Sequence, residues 1–313
     1  MTAEQILAMR YSSEIFPAGS DLKAIYKNLI KQWHPDICKH PKASIVFQRI
    51  INLYQTAVRS VTVFDDTAYN ESEHPLGLRY LYLKDIRYVV HDKNERYIEN
   101  AVSMTKFEYR SSRIKEYFEP ILPKCTSDAP NAINIKRPAT AYQLKSVLDY
   151  YDGAIPHKTV AWIMSRLMNL LCFFEAHGFV HNGIEIDSCF MDYKTHRIYL
   201  LGGWFYARPA GEKLIGVPQS VYTVMPVKLK SIKAAGIETD IESVKQMGRL
   251  LLGRQYDAAP APVKAWLDMG ASDKAISEYE RWEEAIIKAY GGRRWTPLDI
   301  EEQNLKELET RSS

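Results

Sequence analysis

The sequence predicts an α+β protein in which a small all-helical segment precedes a larger part built from an antiparallel sheet lobe and a helical lobe. Three observations carry this. Apolar residues recur at helical spacing between residues 20 and 58, aromatic and β-branched residues alternate with charges from residue 79, and long apolar helical runs take over from residue 140. At 313 residues and 46% apolar content the chain can bury one large or two modest cores, so two domains are expected. The net charge of +3, with no extended basic run, indicates neither nucleic acid nor membrane as a partner.

Cys38, Cys125, Cys172 and Cys189 form no CxxC pair and have no matching histidine spacing, so neither a zinc site nor a disulfide framework is expected. The opening residues lack the basic start and apolar core of a secretory signal, and runs such as "LMNLLCFF" are too short to span a bilayer. A cytoplasmic location is expected.

In "SDLKAIYKNLIKQW", Leu22, Ile25, Tyr26, Leu29, Ile30 and Trp33 share a helix face, with Ser20 as a cap and Asp21 in the first turn. Lys23, Lys27 and Lys31 lie four apart and stack three ammonium groups on the other side. A second helix over 42–58 puts Phe47, Ile50, Ile51, Tyr54 and Val58 on one side. Between them stands "HPD". Pro35 has no amide hydrogen and biases His34 away from helical torsions, so the trio is expected to form an exposed turn joining two antiparallel helices.

These residues resemble the J-domain of DnaJ-type co-chaperones, over residues 1–60. The resemblance implies that Lys23, Lys27 and Lys31 steer the encounter with a DnaK-type chaperone and that Tyr26, His34, Pro35 and Asp36 belong to the surface that stimulates its ATPase. No Gly/Phe-rich or cysteine-rich zinc region follows, so the remainder of the chain is something else, with an unknown client as its expected partner.

Residues 61–74 read as a polar linker, and 75–138 as a mostly antiparallel sheet. In it "HDKNER" makes a hairpin tip, 111–118 is a helix and "AINIKRP" is a strand. Residues 139–303 read as helical. "HKTVAWIMSRLMNLLCFFEAHG" is apolar nearly all round, "VHNGIEIDSCFM" is a loop running into the first of two short strands, and "GIETDIESVKQMGRLLLG" is a second buried helix. Residues 304–313 read as a flexible tail, and Arg293 and Arg294 beside Trp295 as a helix end.

This order of elements resembles the protein-kinase fold, a bilobal arrangement covering about 75–300. By that resemblance His181 and Asp240 are structural anchors of the catalytic loop, with Asn182 beside His181. Gly183 stands where the catalytic base would be, Glu185 at the phosphate-facing lysine and Ser188 at a metal-binding asparagine. Gly202, Gly203 and Trp204 replace the Asp-Phe-Gly turn. A glycine cannot accept a proton, and the magnesium-binding carboxylate is missing, so a pseudokinase without metal or cofactor is implied. No GxGxxG occurs. Lys106 and Lys136 are read as strand lysines able to neutralise a phosphate, and Asp187 and Asp192 as acids near the loop that an atypical phosphotransferase would need. Trp204, Phe205 and Tyr206 are read as a plug for the former cleft, or else as a binding face.

The function expected from the sequence is thus a co-chaperone adaptor with a catalytically inactive kinase-like module. An atypical kinase and a structural or assembly protein are the alternatives. Such a pairing would suit a large bacteriophage, acting in its host's cytoplasm, or a bacterium.

Overall fold

A computed structural model describes the chain except for residues 10–11, 18–19, 63–69, 92–93, 293–297 and 312–313. Two compact units are present, one of residues 1–70 with 300–313 and one of residues 71–299.

The first unit starts with α1 (Ala3–Ala8), closed by a reciprocal capping box between Thr2 and Gln5. In α2 (Leu22–Trp33) the cap is Asp21, whose carboxylate accepts from the Ala24 N–H, while the Ser20 hydroxyl turns back to the Pro17 carbonyl. The cap thus falls one residue later than expected. Helix α3 runs over Ala43–Thr62. Tyr26 meets Tyr54 and His34 meets Phe47, so the two helices run antiparallel. Their shared core holds Phe16, Leu29, Trp33, Val46, Ile50 and Leu53. The buried line of α3 is Val46, Ile50, Leu53 and Ala57, and the Phe47, Ile51 and Tyr54 expected inside are half-buried; the face is rotated by about one residue because α1 and α2 both press on it. The side chain of Val58 lies outside the described residues.

The expected tail at 304–313 is instead mostly a helix, Glu302–Arg311, packed on α3. Leu305 is completely buried, and the Glu307 carboxylate accepts the backbone N–H of Ser12 at 2.7 Å as well as the Ser12 hydroxyl. A buried carboxylate requires such donors, and the end of the chain is held by them. The stretch read as a linker is helix up to Thr62 and strand from Asn70, with 63–69 outside the described residues.

In the second unit β1 (Asn70–His74), β2 (Gly77–Leu81) and β3 (Asp85–Val90) are followed by α4 (Glu95–Met104) and α5 (Ser112–Phe118), then β4 (Cys125–Ala129) and β5 (Ala132–Lys136). The five strands form one sheet in the order β1-β2-β3-β5-β4. Strand β3 alternates cleanly, placing Ile86, Tyr88 and Val90 inside. The strand and hairpin expected beyond residue 90 are corrected. Residues 95–104 form an amphipathic helix that buries Tyr97, Ile98 and Ala101, a 3.6-residue period that the neighbouring alternation obscured. Asp92 and Lys93 of the expected tip lie outside the described residues.

Next come β6 (Ala141–Gln143), α6 (Leu144–Tyr150) and α7 (His157–Ala176), the last of these buried on nearly every side. Four short strands follow, β7 (Phe179–Val180), β8 (Cys189–Asp192), β9 (Arg197–Leu200) and β10 (Arg208–Pro209): β10 pairs with β7, β8 lies between β6 and β9, and β7 and β9 contact α7. Helices α8 (Gln219–Val224) and α9 (Val227–Ile232) lead to α10 (Ile237–Leu252), and α11 (Ala261–Asp268) and α12 (Ala275–Tyr290) complete the unit. Helix α7 packs on α10 and α12, and the Trp282 indole N–H donates to Ser165 at 2.8 Å. Lys245 and Glu278, both fully buried, pair at 2.7 Å while the ammonium also reaches the Met269 carbonyl and the Trp266 ring.

Leu305→Ala should cost about 2–5 kcal/mol, the usual range for emptying a buried leucine site. Hydrogen exchange of the α3 amides is the check: faster exchange at Val46–Leu53 is expected, and unchanged exchange would mean that the C-terminal helix does not support this core.

Candidate functional site: a closed cleft and an exposed turn

The loop that runs from β7 to β8 is fixed by one carboxylate. Asp240, in the first turn of α10, accepts the His181 N–H at 2.7 Å on one oxygen and the Asn182 N–H at 2.8 Å on the other. Asn182 has φ of 55° and uses its side-chain amide to reach the Val180 and Tyr206 carbonyls, which anchors this left-handed residue from both sides. The Gly183 N–H then donates to His181 Nδ1. Burial pushes Asp240 up to about 7 against the pull of its two N–H donors, and drives His181 down to about 3.

At the position of the expected base, Gly183 admits no side chain. A Cβ there would sit 2.5 Å from the Gly203 carbonyl oxygen, and one on Gly202 would lie 2.9 Å from the Ser188 Cα. Gly203 has φ of 78°, and a Cβ there would lie 2.2 Å from the Gly183 carbonyl oxygen. Backbone thus occupies the space that acidic side chains would need.

Trp204, Phe205 and Tyr206 are all buried, which decides between plug and binding face in favour of packing. The Trp204 indole donates to the Leu200 carbonyl and lies edge-on to the His181 ring at 4.6 Å. Phe205 reaches under the sheet, where it meets Tyr88 at 5.0 Å and His74 at 5.5 Å. Arg79, buried on β2, bonds Ser72. From α4, Asn100 donates to the Phe205 and Ala207 carbonyls and the Tyr97 hydroxyl to the Ile215 carbonyl. The lining of His74, Arg79, Tyr88 and Asn100 was not singled out from the sequence; for Tyr88 the signal was there, in the strict alternation of β3.

Ser188 closes a turn with Glu185, giving its hydroxyl to the Glu185 carbonyl and accepting the Glu185 N–H, both at 2.8 Å. The Glu185 carboxylate accepts from the Ser220 hydroxyl, and burial raises its pKa. Asp192 binds the Thr140 hydroxyl at 2.6 Å and the N–H groups of Lys194 and Thr195, so it braces the β8–β9 turn and is spent. Asp187 keeps one buried carboxylate oxygen without a hydrogen bond. Lys106 is corrected: it follows α4 outside any strand and is exposed. Lys136 ends β5, exposed, and pairs with Asp85 at 2.7 Å. Arg293, Arg294 and Trp295 lie outside the described residues.

In the first unit the turn after α2 is closed by the N–H groups of Ile37 and Cys38 on the His34 carbonyl. The Asp36 N–H donates to His34 Nδ1, and the Asp36 carboxylate, 87% exposed, sits 3.6 Å from the same nitrogen. The His34 ring rests edge-on against Phe47. Lys23, Lys27 and Lys31 are exposed along α2. Tyr26 is half-buried and stacks on Tyr54 at 4.0 Å, so most of its ring is committed to the helix pair. Ile37, in the turn, and Ile45, near the start of α3, are exposed apolar side chains.

No family model matches the chain, and no curated protein does. A solved structure described as "Structure of vaccinia related kinase 3" is similar over 70% of this chain and 87% of that one, at 12% identity and a TM-score of 0.48. The site itself therefore has to support any functional reading.

Two outcomes are expected here. Gly183→Asp should destabilise the second unit by about 3 kcal/mol, since the side chain meets fixed backbone, and should give no ATP turnover; a stable, ATP-hydrolysing variant would overturn the steric argument. The second concerns His74, which burial and the Arg79 charge lower to about 4. A histidine depressed from 6.5 contributes stability that is complete above 6.5 and is lost as pH falls toward 4, by about 1.4 kcal/mol per unit. Asp240 acts with the opposite sign, so the reading must be differential. His74→Asn, which keeps an acceptor for the Leu76 N–H, should flatten the fall of the urea midpoint across that window.

Proposed function

We propose that the chain is a co-chaperone adaptor: its first unit engages the ATPase domain of a DnaK-type chaperone, and its second is a catalytically inactive kinase-like module that holds a client. The observation that carries this reading is the turn His34-Pro35-Asp36. It stands exposed between two antiparallel helices, beside an exposed stripe of three lysines, with the Asp36 carboxylate almost fully in solvent. A packing turn has no use for a solvated carboxylate ordered against an imidazole; a charged partner does.

Support for the kinase-like reading of the second unit comes from its own geometry. Five antiparallel strands in the order β1-β2-β3-β5-β4 enclose a single crossing segment of two helices, and a buried helix runs into a loop whose backbone is held by a carboxylate from a later buried helix. Support for inactivity comes from Gly183, Gly202 and Gly203, which pack backbone against backbone where acids would act, and from rings that fill the space beneath the sheet. The atypical phosphotransferase reading retains one observation, the unpartnered oxygen of Asp187.

Steady-state ATP hydrolysis by a bacterial DnaK-type chaperone should rise several-fold on addition of this protein, and His34→Gln should abolish the rise. Loss of stimulation with an unchanged circular dichroism spectrum would tie the effect to the turn; no stimulation by the unaltered protein would remove the adaptor reading. If ATP is turned over without any chaperone, and Asp187→Asn stops it, the phosphotransferase reading replaces the inactive one.

A further inference from the structure

On the second unit, away from the loop held by Asp240, two cavities of about 610 and 700 Å³ share Arg166 and His196 in their walls. The first lies between α5, α7 and the β8–β9 turn and gathers the guanidinium groups of Arg113, Arg166 and Arg197 around an apolar floor that includes Phe118 and Ile198. The second continues along α7, past Lys158 and Trp162. Each has the size of an ordinary binding cleft.

The charge balance is one-sided. Four permanent cations face these cavities and one carboxylate, Glu116. Among the described residues no carboxylate forms an ion pair with Arg113, Arg166 or Arg197. Arg166 gives one N–H to the Tyr117 hydroxyl, while its Nε is buried without a hydrogen bond. The buried Nε of Arg166, cationic and without an anion, is costly, and the exposed guanidinium groups of Arg113 and Arg197 on the same cavity add to a wall that favours a ligand bringing anions with it.

The cavity turn is rigid. Asp192 caps it through Lys194 and Thr195, and His196 is held at φ of 56° beside Arg166. Burial and the Arg166 charge keep the His196 imidazole below its usual pKa, so it adds a neutral donor or acceptor to the cationic wall.

We infer that this groove is a docking site for an extended acidic peptide segment of a partner protein. The cations are separated by apolar and aromatic surface, which suits carboxylates alternating with apolar side chains. A polyphosphate chain would instead need an unbroken cationic track, without apolar surface between the charges. Because this names the chemistry of the segment held by the second unit, it rests on the adaptor reading, but it is tested without any chaperone.

The probe is a fluorescein-labelled peptide alternating Glu and Asp with Leu and Tyr, titrated with the full chain and read by anisotropy. Binding in the micromolar range is expected, weakening as salt rises, with no binding of a peptide in which Lys replaces the acids. Arg113→Glu with Arg197→Glu, both at exposed positions, should weaken it by about tenfold or more. Absence of binding up to about 1 mM, or equal affinity in the charge-reversed variant, would overturn the assignment. So would a single-stranded oligonucleotide that binds more tightly and displaces the peptide, which would make the groove a nucleic-acid site. Chaperone stimulation measured in parallel separates the two failures: a groove that binds no acidic peptide in a protein that still stimulates ATPase leaves the adaptor role in place.

Discussion

Two neighbouring backbone N–H groups, those of His181 and Asn182, end on the two oxygens of Asp240, and much of the second unit's interior is arranged by that junction. A buried carboxylate is expensive unless its lone pairs are filled, so α10 cannot slide or rotate relative to the loop without leaving charge unmet. With the loop fixed, His181 is aimed at Trp204, and Trp204 in turn at the Leu200 carbonyl. The left-handed torsions of Asn182 and Gly203 follow, because the chain must turn twice within a few residues to bring the Gly183 and Gly203 backbones together.

The same junction bears on the proposal that the second unit is inactive. A site for phosphoryl transfer needs carboxylates that are exposed to metal and substrate and are not already hydrogen-bonded to the fold. Here the acids near the loop are largely employed in holding structure: Asp240 holds the loop, Asp192 the β8–β9 turn, and Glu185 is tied to Ser220. The rings beneath the sheet make the same point in apolar terms. Phe205, Tyr88 and His74 fill the region with ring contacts, which on the kinase-like reading proposed above would have to break for a nucleotide to enter.

Sequence was most informative where a local rule acts alone. The helices α2 and α7 follow from apolar spacing, the turn at Pro35 from the missing amide hydrogen, and the partnership of Asp240 with the loop at His181 was suggested only by resemblance. It misled where a local pattern was ambiguous or a distant contact decided. Residues 95–104 continue an aromatic-rich stretch, yet they bury Tyr97, Ile98 and Ala101 at helical spacing. The last residues carry charges typical of a frayed end, but Ser12, almost three hundred positions away, supplies the donors that bury Glu307. Steric closure at Gly183 was half legible: the lack of a side chain can be read from a glycine, whereas the Gly203 backbone packed against it cannot.

The first unit follows a different logic, in which packing and exposure are divided between the faces of one helix pair. Tyr26 stacks on Tyr54 and Trp33 is buried, so the inner face of α2 holds α3 in place. Among the described residues the lysines on the other face form no ion pair, and Asp36 at the tip meets only its neighbour His34. Three like charges spaced four apart cost stability through mutual repulsion. An exposed carboxylate 3.6 Å from an imidazole contributes little to folding. Groups that cost or add almost nothing to the fold, on a scaffold that orders them, are what the proposed adaptor role would use, because a partner of complementary charge would recover that free energy on contact.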